Sequence, residues 1–299
     1  MYNDGKVKEC GNCHKIKLYT EFGLKGRGLR SICKECKKNK DALEFFRNKF
    51  LIVINLTNKQ QKGKCVKCNT NFIVLPGLDF HHTKPELKKT TWRKNRRKNW
   101  KNILDLFEKE KVIILCKNCH SSENTEIFNE FKEVILKDNL FEFNAEVINK
   151  LTYEYVKTNK TRNFKNYKFR VIEWIKKRSV IEQLYDGKCI GCEKVTVMNN
   201  LPALDIHHRN EHQSKRKKLR WNQIKKLDIK SISEKLIKED CICLCSNCHT
   251  LFHSIKYKEF GEKIIGKEYK DQIEKIYKNL ENKIISFEYK TTEIKDPLK

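Results

Sequence analysis

Short runs of alternating apolar and polar residues recur along the chain and predict β-strands. LDFHH at 78–82 has a counterpart, LDIHH, at 204–208, and CICLC at 241–245 also alternates. Neighbouring side chains on a strand point to opposite faces, so two adjacent histidines at a strand end are not equivalent on an ideal strand. Ahead of each histidine run the sequence predicts a helix, at roughly 42–60 and roughly 167–186. Gly63 and Gly187 are expected to end these helices.

The remaining segments give weaker patterns. The stretch 125–165 mixes helical periodicity with the polar run TNKTRNFKN, which we interpret as a linker. The tail at about 257–292 has the pattern of a charged amphipathic helix. The sequence does not decide whether this tail packs on the preceding segment or contacts nucleic acid.

An internal repeat organises most of the chain. KCVKC at 64–68 matches KCIGC at 188–192, LPGLDFHH at 75–82 matches LPALDIHH at 201–208, and ILCKNCH at 114–120 matches CLCSNCH at 243–249. The order is kept, and the offset grows from 124 to 126 to 129 residues (188 − 64, 201 − 75 and 243 − 114), as small loop insertions would produce. Three matched blocks indicate a duplicated domain.

Fourteen cysteines are many for 299 residues. The C-x-x-C spacing lets two sulfurs of one tight turn reach the same zinc ion, and paired motifs fill all four tetrahedral positions. Three such sets predict three structural zinc ions per chain: Cys10, Cys13, Cys33 and Cys36; Cys65, Cys68, Cys116 and Cys119; Cys189, Cys192, Cys245 and Cys248. Gly23, Gly26 and Gly28 suggest a turn-rich loop inside the first set. Cys241 and Cys243 are left over and are interpreted as small buried apolar residues.

The same cysteines bear on the compartment. The polar start MYNDGKVKEC predicts no signal peptide, and no apolar run approaches the roughly 18 residues of a membrane span. We therefore expect an intracellular protein without a membrane partner, in a reducing compartment (cytoplasm, nucleoid or nucleus) and not secreted. In that setting paired cysteines indicate metal sites rather than disulfides.

Charge indicates the kind of partner. Lys plus Arg number 65 against 38 Asp plus Glu, a formal net charge of +27. Such an excess favours a polyanion, although an AT-rich genome can also raise the lysine content. Basic runs directly follow both histidine pairs, at 83–101 and 209–226, and are either solvated loops or phosphate contacts. The candidate contacts to nucleic acid are Arg93, Arg96, Arg97, Lys215, Arg216 and Arg220.

Seven of the nine histidines fall at matched or neighbouring positions of the repeats: His81, His82 and His120 in the first, and His207, His208, His249 and His253 in the second. If the last segment is a helix, His249 and His253 lie one turn apart on one face. The first repeat has Asn124 where the second has His253. Zinc binding by all of these histidines is disfavoured, because each repeat already has four thiolates.

The order C-x-x-C, L-D-x-H-H, a basic segment with Trp, then L-C-x-N-C-H-x-x-x-H resembles the HNH (His-Me finger) endonuclease family. The second repeat matches throughout, and the first lacks only the final histidine. The N-terminal module resembles the four-cysteine zinc element found ahead of HNH cores in phage-like proteins. The matches cover most of residues 8–255, and the middle Asn of the family pattern is not placed.

The resemblance implies the residue roles. His208 and His82 would be general bases that take a proton from the attacking water. His207, His249 and His253, and in the first repeat His81 and His120, would hold one catalytic divalent ion (Mg, Mn or Zn) per active unit. Asp79 and Asp205 would orient these ligands without contacting the ion themselves.

The resemblance also implies the architecture. We expect an α+β protein: a zinc ribbon (1–41), a first treble-clef-like ββα-metal unit (42–130), a helical segment and linker (131–165), a second unit (166–256) and a helical tail (257–299). The expected activity is metal-dependent hydrolysis of DNA phosphodiesters, in a homing, restriction or mobile-element setting, with RNA less favoured. Two units on one chain would let a monomer act. The alternative is a non-catalytic, zinc-dependent nucleic-acid-binding protein with degenerate sites.

Overall fold

The computed structural model describes residues 5–26, 28–56, 63–96, 98–136, 145–158, 164–209 and 220–289. Within them, α-helices combine with two-stranded antiparallel sheets. This confirms the predicted α+β class. The candidate contacts Arg97, Lys215 and Arg216 lie outside the described residues.

The N-terminal module consists of two β-hairpins. Its strands are β1 (Val7–Glu9), β2 (Ile16–Leu18), β3 (Phe22–Lys25) and β4 (Gly28–Cys33). The predicted glycine-rich loop was wrong, because Gly23 lies within β3 and Gly28 begins β4. Only Gly26 serves the turn, with a φ of 60° that side chains rarely adopt.

The first repeat begins with a long helix that continues directly from β4. Its elements are α1 (Lys34–Asn55), β5 (Leu78–His82), α2 (Trp92–Asn95), α3 (Trp100–Lys109), β6 (Val112–Cys116), α4 (Lys117–Glu123), α5 (Glu126–Glu130) and α6 (Lys132–Ile135). The prediction placed the start of α1 at 42 rather than at Lys34, because the polar run KECKKNK hides the first turns. The stretch 131–165, predicted as a helical segment and linker, contains the helix α7 (Ala145–Thr158), which ends where the polar run begins.

The second repeat has the same order of long helix, strand, helices, strand and helix. Its elements are α8 (Phe164–Tyr185), α9 (Val197–Asn200), β7 (Leu204–His208), α10 (Trp221–Ile224), α11 (Ile229–Lys238), β8 (Cys241–Cys245) and α12 (Ser246–Phe252). β5 pairs with β6 and β7 with β8. The pairing registers agree, since Leu78 faces Cys116 and Leu204 faces Cys245.

The tail forms two helices, α13 (Ile255–Ile265) and α14 (Lys270–Ile285). The single helix predicted at 257–292 was wrong, because Gly266 adopts a φ of 120° and ends α13. Helix α13 packs on α1 of the first repeat. There the fully buried Tyr257 stacks on Phe46 and donates a hydrogen bond to the carbonyl of Ile73 at 3.0 Å.

One apolar core runs through both repeats, while a separate small cluster of Cys10, Phe22 and Cys33 forms the interior of the N-terminal module. The two repeats are thus packed together rather than strung apart. Among the described helices, none has both the length and the apolar composition needed to cross a membrane.

Candidate metal and active centre

The four cysteines of each predicted set lie together. In all three sets the sulfur atoms are within 4.8 Å of one another. A tetrahedral zinc ion with bonds of about 2.3 Å requires sulfur separations of roughly 3.8 Å, so each cluster has the donors and the size to hold a metal ion. Cys241 and Cys243 are fully buried in β8 and belong to none of the clusters found in the described residues.

The first two cysteines of each set lie on the same kind of turn. A residue four positions after the first cysteine takes a positive φ: 55° at His14, 59° at Asn69 and 56° at Glu193. In each turn the N–H of that residue donates to the carbonyl of the first cysteine. This backbone reversal brings both sulfurs of the C-x-x-C motif to one side.

The third cysteine of each set caps a helix. Cys33, Cys116 and Cys245 are the N-caps of α1, α4 and α12, and each sulfur accepts the N–H of the cysteine three residues later. Each of these N–H groups lies in the first turn of its helix, where no carbonyl of that helix can accept it, so the sulfur supplies the missing acceptor. In the N-terminal module, N–H groups of Cys13 and Cys33 lower the pKa of Cys10 to about 6.

Each cysteine turn of the repeats docks on a strand. The N–H of Val66 donates to Ile114 in β6 at 3.0 Å, and the N–H of Ile190 donates to Cys243 in β8 at 2.9 Å. The cysteine cluster therefore fixes the second strand of each sheet to the helix that follows it. That helix and the first strand carry the histidines.

Three histidines of the second repeat converge at one point. His207 on β7, His249 on α12 and His253 at the end of α12 each offer a ring nitrogen, and these atoms lie within 4.8 Å of one another. The ring centroids are 4.7 to 4.9 Å apart. His207 is buried at 5% exposure, whereas His253 faces solvent. Imidazole nitrogens this close are a set of metal donors that opens on solvent.

An aspartate stands behind the helix histidine in each repeat. Nδ1 of His120 lies 3.2 Å from Asp79, and Nδ1 of His249 lies 3.8 Å from Asp205. A carboxylate facing Nδ1 orients the ring and leaves the other nitrogen for a metal. Burial opposes ionisation of Asp79, but the hydrogen bond from His120 and nearby lysines hold its pKa below the ordinary value.

The first repeat assembles a smaller site. The rings of His81 and His120 are 5.2 Å apart. Asn124, at the position of the second repeat's third histidine, donates its amide to the carbonyl of His120 at 2.9 Å. That side chain is folded onto its own helix, so this site has two imidazoles rather than three.

The two proposed general bases lie in different surroundings. Nε2 of His82 is 2.5 Å from Glu110, and both side chains are buried. The matching residue, Glu239, is exposed, and Nε2 of His208 makes no hydrogen bond to any described residue although it is shielded from solvent. Alternation along β5 and β7 directs His82 and His208 away from the face that carries His81 and His207.

Two buried lysines were missed in the sequence. Lys49 on α1 and Lys177 on α8 are 5% and 8% exposed, and the charge of each acts on the aspartate of its own repeat. Burial lowers the pKa of Lys49 to about 8 and lowers that of Lys177. The offset of 124 residues found at the first cysteines pairs Lys49 with Glu173 rather than with Lys177, so the repeat does not single out these lysines.

The two repeats exchange hydrogen bonds at their cysteine clusters. Nδ2 of Asn118 in α4 is 3.5 Å from the sulfur of Cys245, and Oδ1 of Asn118 accepts the N–H of Asn247 at 3.0 Å. The side chain of Asn247 in turn acts on Cys116 of the first repeat, where it opposes the rise of that thiol's pKa. The middle residue of each C-x-N-C-H motif is therefore a contact between repeats, which sequence analysis missed.

The arrangement brings both histidine sites onto one cleft. This cleft of about 440 Å³ is lined by Asp79 and His120 from the first repeat and by Asp205 and His249 from the second. Its floor is the contact between α4 and α12, where the hydroxyls of Ser121 and Ser246 are 3.2 Å apart.

The predicted basic contacts are only partly described. Arg93, Arg96 and Arg220 are exposed, and Arg96 also stacks on Phe45. The tryptophans of these runs are partly buried against the core: Trp92, Trp100 and Trp221.

Both repeats are built on the same geometric plan. Strand, helix and cysteine turn place the same donor groups in both repeats, with a third imidazole only in the second. In comparisons with protein-family models, with curated proteins and with solved structures, no match to this chain was found.

Proposed function

We propose that the second repeat is a metal-dependent endonuclease of the HNH type. The observation that carries the proposal is the convergence of His207, His249 and His253 at the end of β7 and on α12. A rigid frame, closed by four cysteines, presents these three imidazoles to solvent. Such a donor set suits a divalent ion that keeps open positions for a substrate.

The twelve cysteines of the three clusters would hold structural zinc, because four thiolates leave no position for a substrate. The three imidazoles would hold the catalytic ion, with Mg, Mn or Zn as candidates. When bound, this ion supplies positive charge to the scissile phosphate and to the leaving oxygen. Asp205 orients His249 and keeps its negative charge, since nearby His249 and Lys177 hold its pKa low despite burial.

His208 is the proposed general base. A neutral imidazole accepts a proton from water near pH 7. Unlike Nε2 of His82, Nε2 of His208 is not paired with a carboxylate of any described residue. Because its ring lies on the opposite face of β7 from His207, this role requires the strand end to rearrange when substrate binds.

The first repeat favours a second function, nucleic-acid binding without cleavage. Glu110 holds the imidazole of His82, and Asn124 replaces the third ligand and bonds its own helix. We therefore propose one cutting repeat and one binding repeat. The net charge of +27 and the exposed Arg93, Arg96 and Arg220 support a polyanionic partner, with DNA favoured over RNA.

The test is conversion of supercoiled plasmid to nicked circles, with and without a divalent ion. His249→Ala should lower the rate by about 100- to 10,000-fold, the usual effect of removing an essential catalytic group. His14→Asn is the matched control, because His14 is an exposed histidine paired with Glu9, and Asn69 shows that an asparagine fits the same positive-φ turn. His82→Ala should leave the first nick unchanged.

Two results would contradict the proposal. Cleavage that survives both removal of divalent ions and the His249→Ala substitution would come from a contaminating nuclease or another site. If the wild-type chain binds plasmid but never nicks it with Mg, Mn or Zn, both repeats are binding modules. Metal content of each variant, measured by elemental analysis, shows whether the cysteine clusters are intact.

A further inference from the structure

The cleft between the repeats has walls from two different sites. Lys117 and His120 of the first repeat stand opposite His249 and Thr250 of the second, with the carboxylates of Asp79 and Asp205 also in its lining. A duplex cannot enter a space of about 440 Å³, which suits a ligand of nucleotide size. The phosphate backbone of one strand fits this description.

The walls are held at a fixed separation. Ser121 and Ser246 bond across the floor at 3.2 Å, and Asn118 accepts the backbone N–H of Asn247 at 3.0 Å. Tyr257 of the tail adds a further contact with the first repeat through its hydrogen bond to Ile73. A substrate therefore meets both sites as one preformed surface, rather than two sites that move independently.

The cleft is not symmetric in charge. Among the described residues that line it, Lys117 is the only lysine or arginine. The repeat alignment puts Ser246 at the corresponding position of the second repeat. Ser246 is buried and bonds the carbonyl of Ala203 and the hydroxyl of Ser121, so it gives a phosphate no counterpart to the positive charge of Lys117.

We propose that this cleft binds the backbone of a single strand, and that Lys117 of the first repeat holds a phosphate of the strand that the second repeat cuts. This inference rests on the proposed function. Lys117 lines the same cleft as His249 and carries the positive charge that a phosphate requires. The first repeat thus supplies part of the second repeat's substrate site. One consequence is that each binding event cuts one strand only.

The experiment uses a duplex whose two strands carry different fluorophores, with protein in excess so that one turnover is observed. Wild-type protein should cut one strand. Lys117→Met should slow this cut by about 10- to 100-fold, the value of a charged hydrogen bond. Lys117→Arg should restore most of the rate. The matched control is Lys278→Met, which removes an exposed lysine of α14 outside the cleft lining.

Either of two results in an active protein would overturn the inference and leave the proposed function standing. One is simultaneous cutting of both strands within a single turnover, and the other is an unchanged rate for Lys117→Met. Circular dichroism and metal content identify a variant that fails to fold, and Lys117→Arg then serves as the comparison.

If the wild-type protein does not cleave, the proposed function has failed, and a binding measurement then tests the inference about the cleft. A short fluorescein-labelled single strand, followed by anisotropy without divalent ions, should bind Lys117→Met about 10- to 100-fold more weakly than Lys278→Met. Equal affinities of these two variants would overturn the inference as well.

Discussion

Asn118→Ala should loosen a metal ion in the other repeat. Asn118 belongs to α4 of the first repeat, but its amide reaches the sulfur of Cys245 and the N–H of Asn247, both in the second. That N–H lies in the first turn of α12, where no carbonyl of the helix can accept it. The substitution therefore removes a thiolate hydrogen bond and a helix cap at once.

The magnitude follows from these two bonds. A hydrogen bond to a charged group contributes about 1.5–3 kcal/mol and a neutral one about 0.5–1.5 kcal/mol, so the two bonds together contribute about 2–4.5 kcal/mol. The thiolate share corresponds to about 10- to 100-fold in metal affinity. We expect the second repeat's cluster to lose its ion that much more readily.

The assay follows zinc release to a coloured chelator. One of the three ions should leave faster, and alkylation with mass mapping should find Cys245 newly reactive while Cys116 stays protected. Asn129→Ala is the matched control, since Asn129 is an exposed residue whose side-chain amide donates to the carbonyl of Ser122 within its own repeat. Release at the wild-type rate, or from the Cys116 cluster instead, would refute coupling across the interface.

Three further results are expected. Folding lowers the pKa of Lys49 from 10.5 to about 8, so the unfolded chain binds more protons than the folded one between these pH values. The free energy of unfolding should therefore rise by about 3 kcal/mol as the pH increases through this range. Urea unfolding at pH 8 and above should show this rise, and Lys49→Met should abolish it. Tyr257→Phe leaves the carbonyl of Ile73 without its donor and should cost about 1–3 kcal/mol in the same measurement, whereas no loss would mean that water replaces the hydroxyl. Glu110→Ala removes the buried partner of His82 and should lower the free energy of unfolding by about 3–5 kcal/mol, while the plasmid-nicking rate stays unchanged. Loss of nicking in a folded variant would contradict the assignment of cutting to the second repeat.

Much of the local structure could be predicted from sequence because it depends on near neighbours. The cysteine pairs, the strand carrying His207 and the helix carrying His249 and His253 follow from spacing and alternation alone. Gly187 follows α8 with a φ of 65°, as its predicted role in ending that helix requires, whereas α1 already ends at Asn55, before Gly63. Repetition strengthened each of these predictions, since a pattern found twice is unlikely to arise by chance.

The contacts between distant segments could not be predicted. Asn118 and Asn247 occupy matched positions, but nothing in C-x-N-C-H shows that the amide leaves its own repeat. The pairing of His82 with Glu110 spans 28 residues and depends on how α3 ends. The prediction of a single tail helix was wrong at Gly266, where the apolar periodicity continues but the helical backbone conformation ends.

The exchange of Asn118 and Asn247 between repeats has the form of a two-fold interface, in which each partner presents the same residue to the other. In a dimer of identical chains, any substitution appears in both subunits, so a change that disables one centre disables its twin. Joining the two halves in one polypeptide removes that constraint. One half can then exchange a histidine for Asn124 and enclose His82, while its neighbour keeps a full set. Covalent linkage thus permits a division of labour that a symmetric assembly forbids.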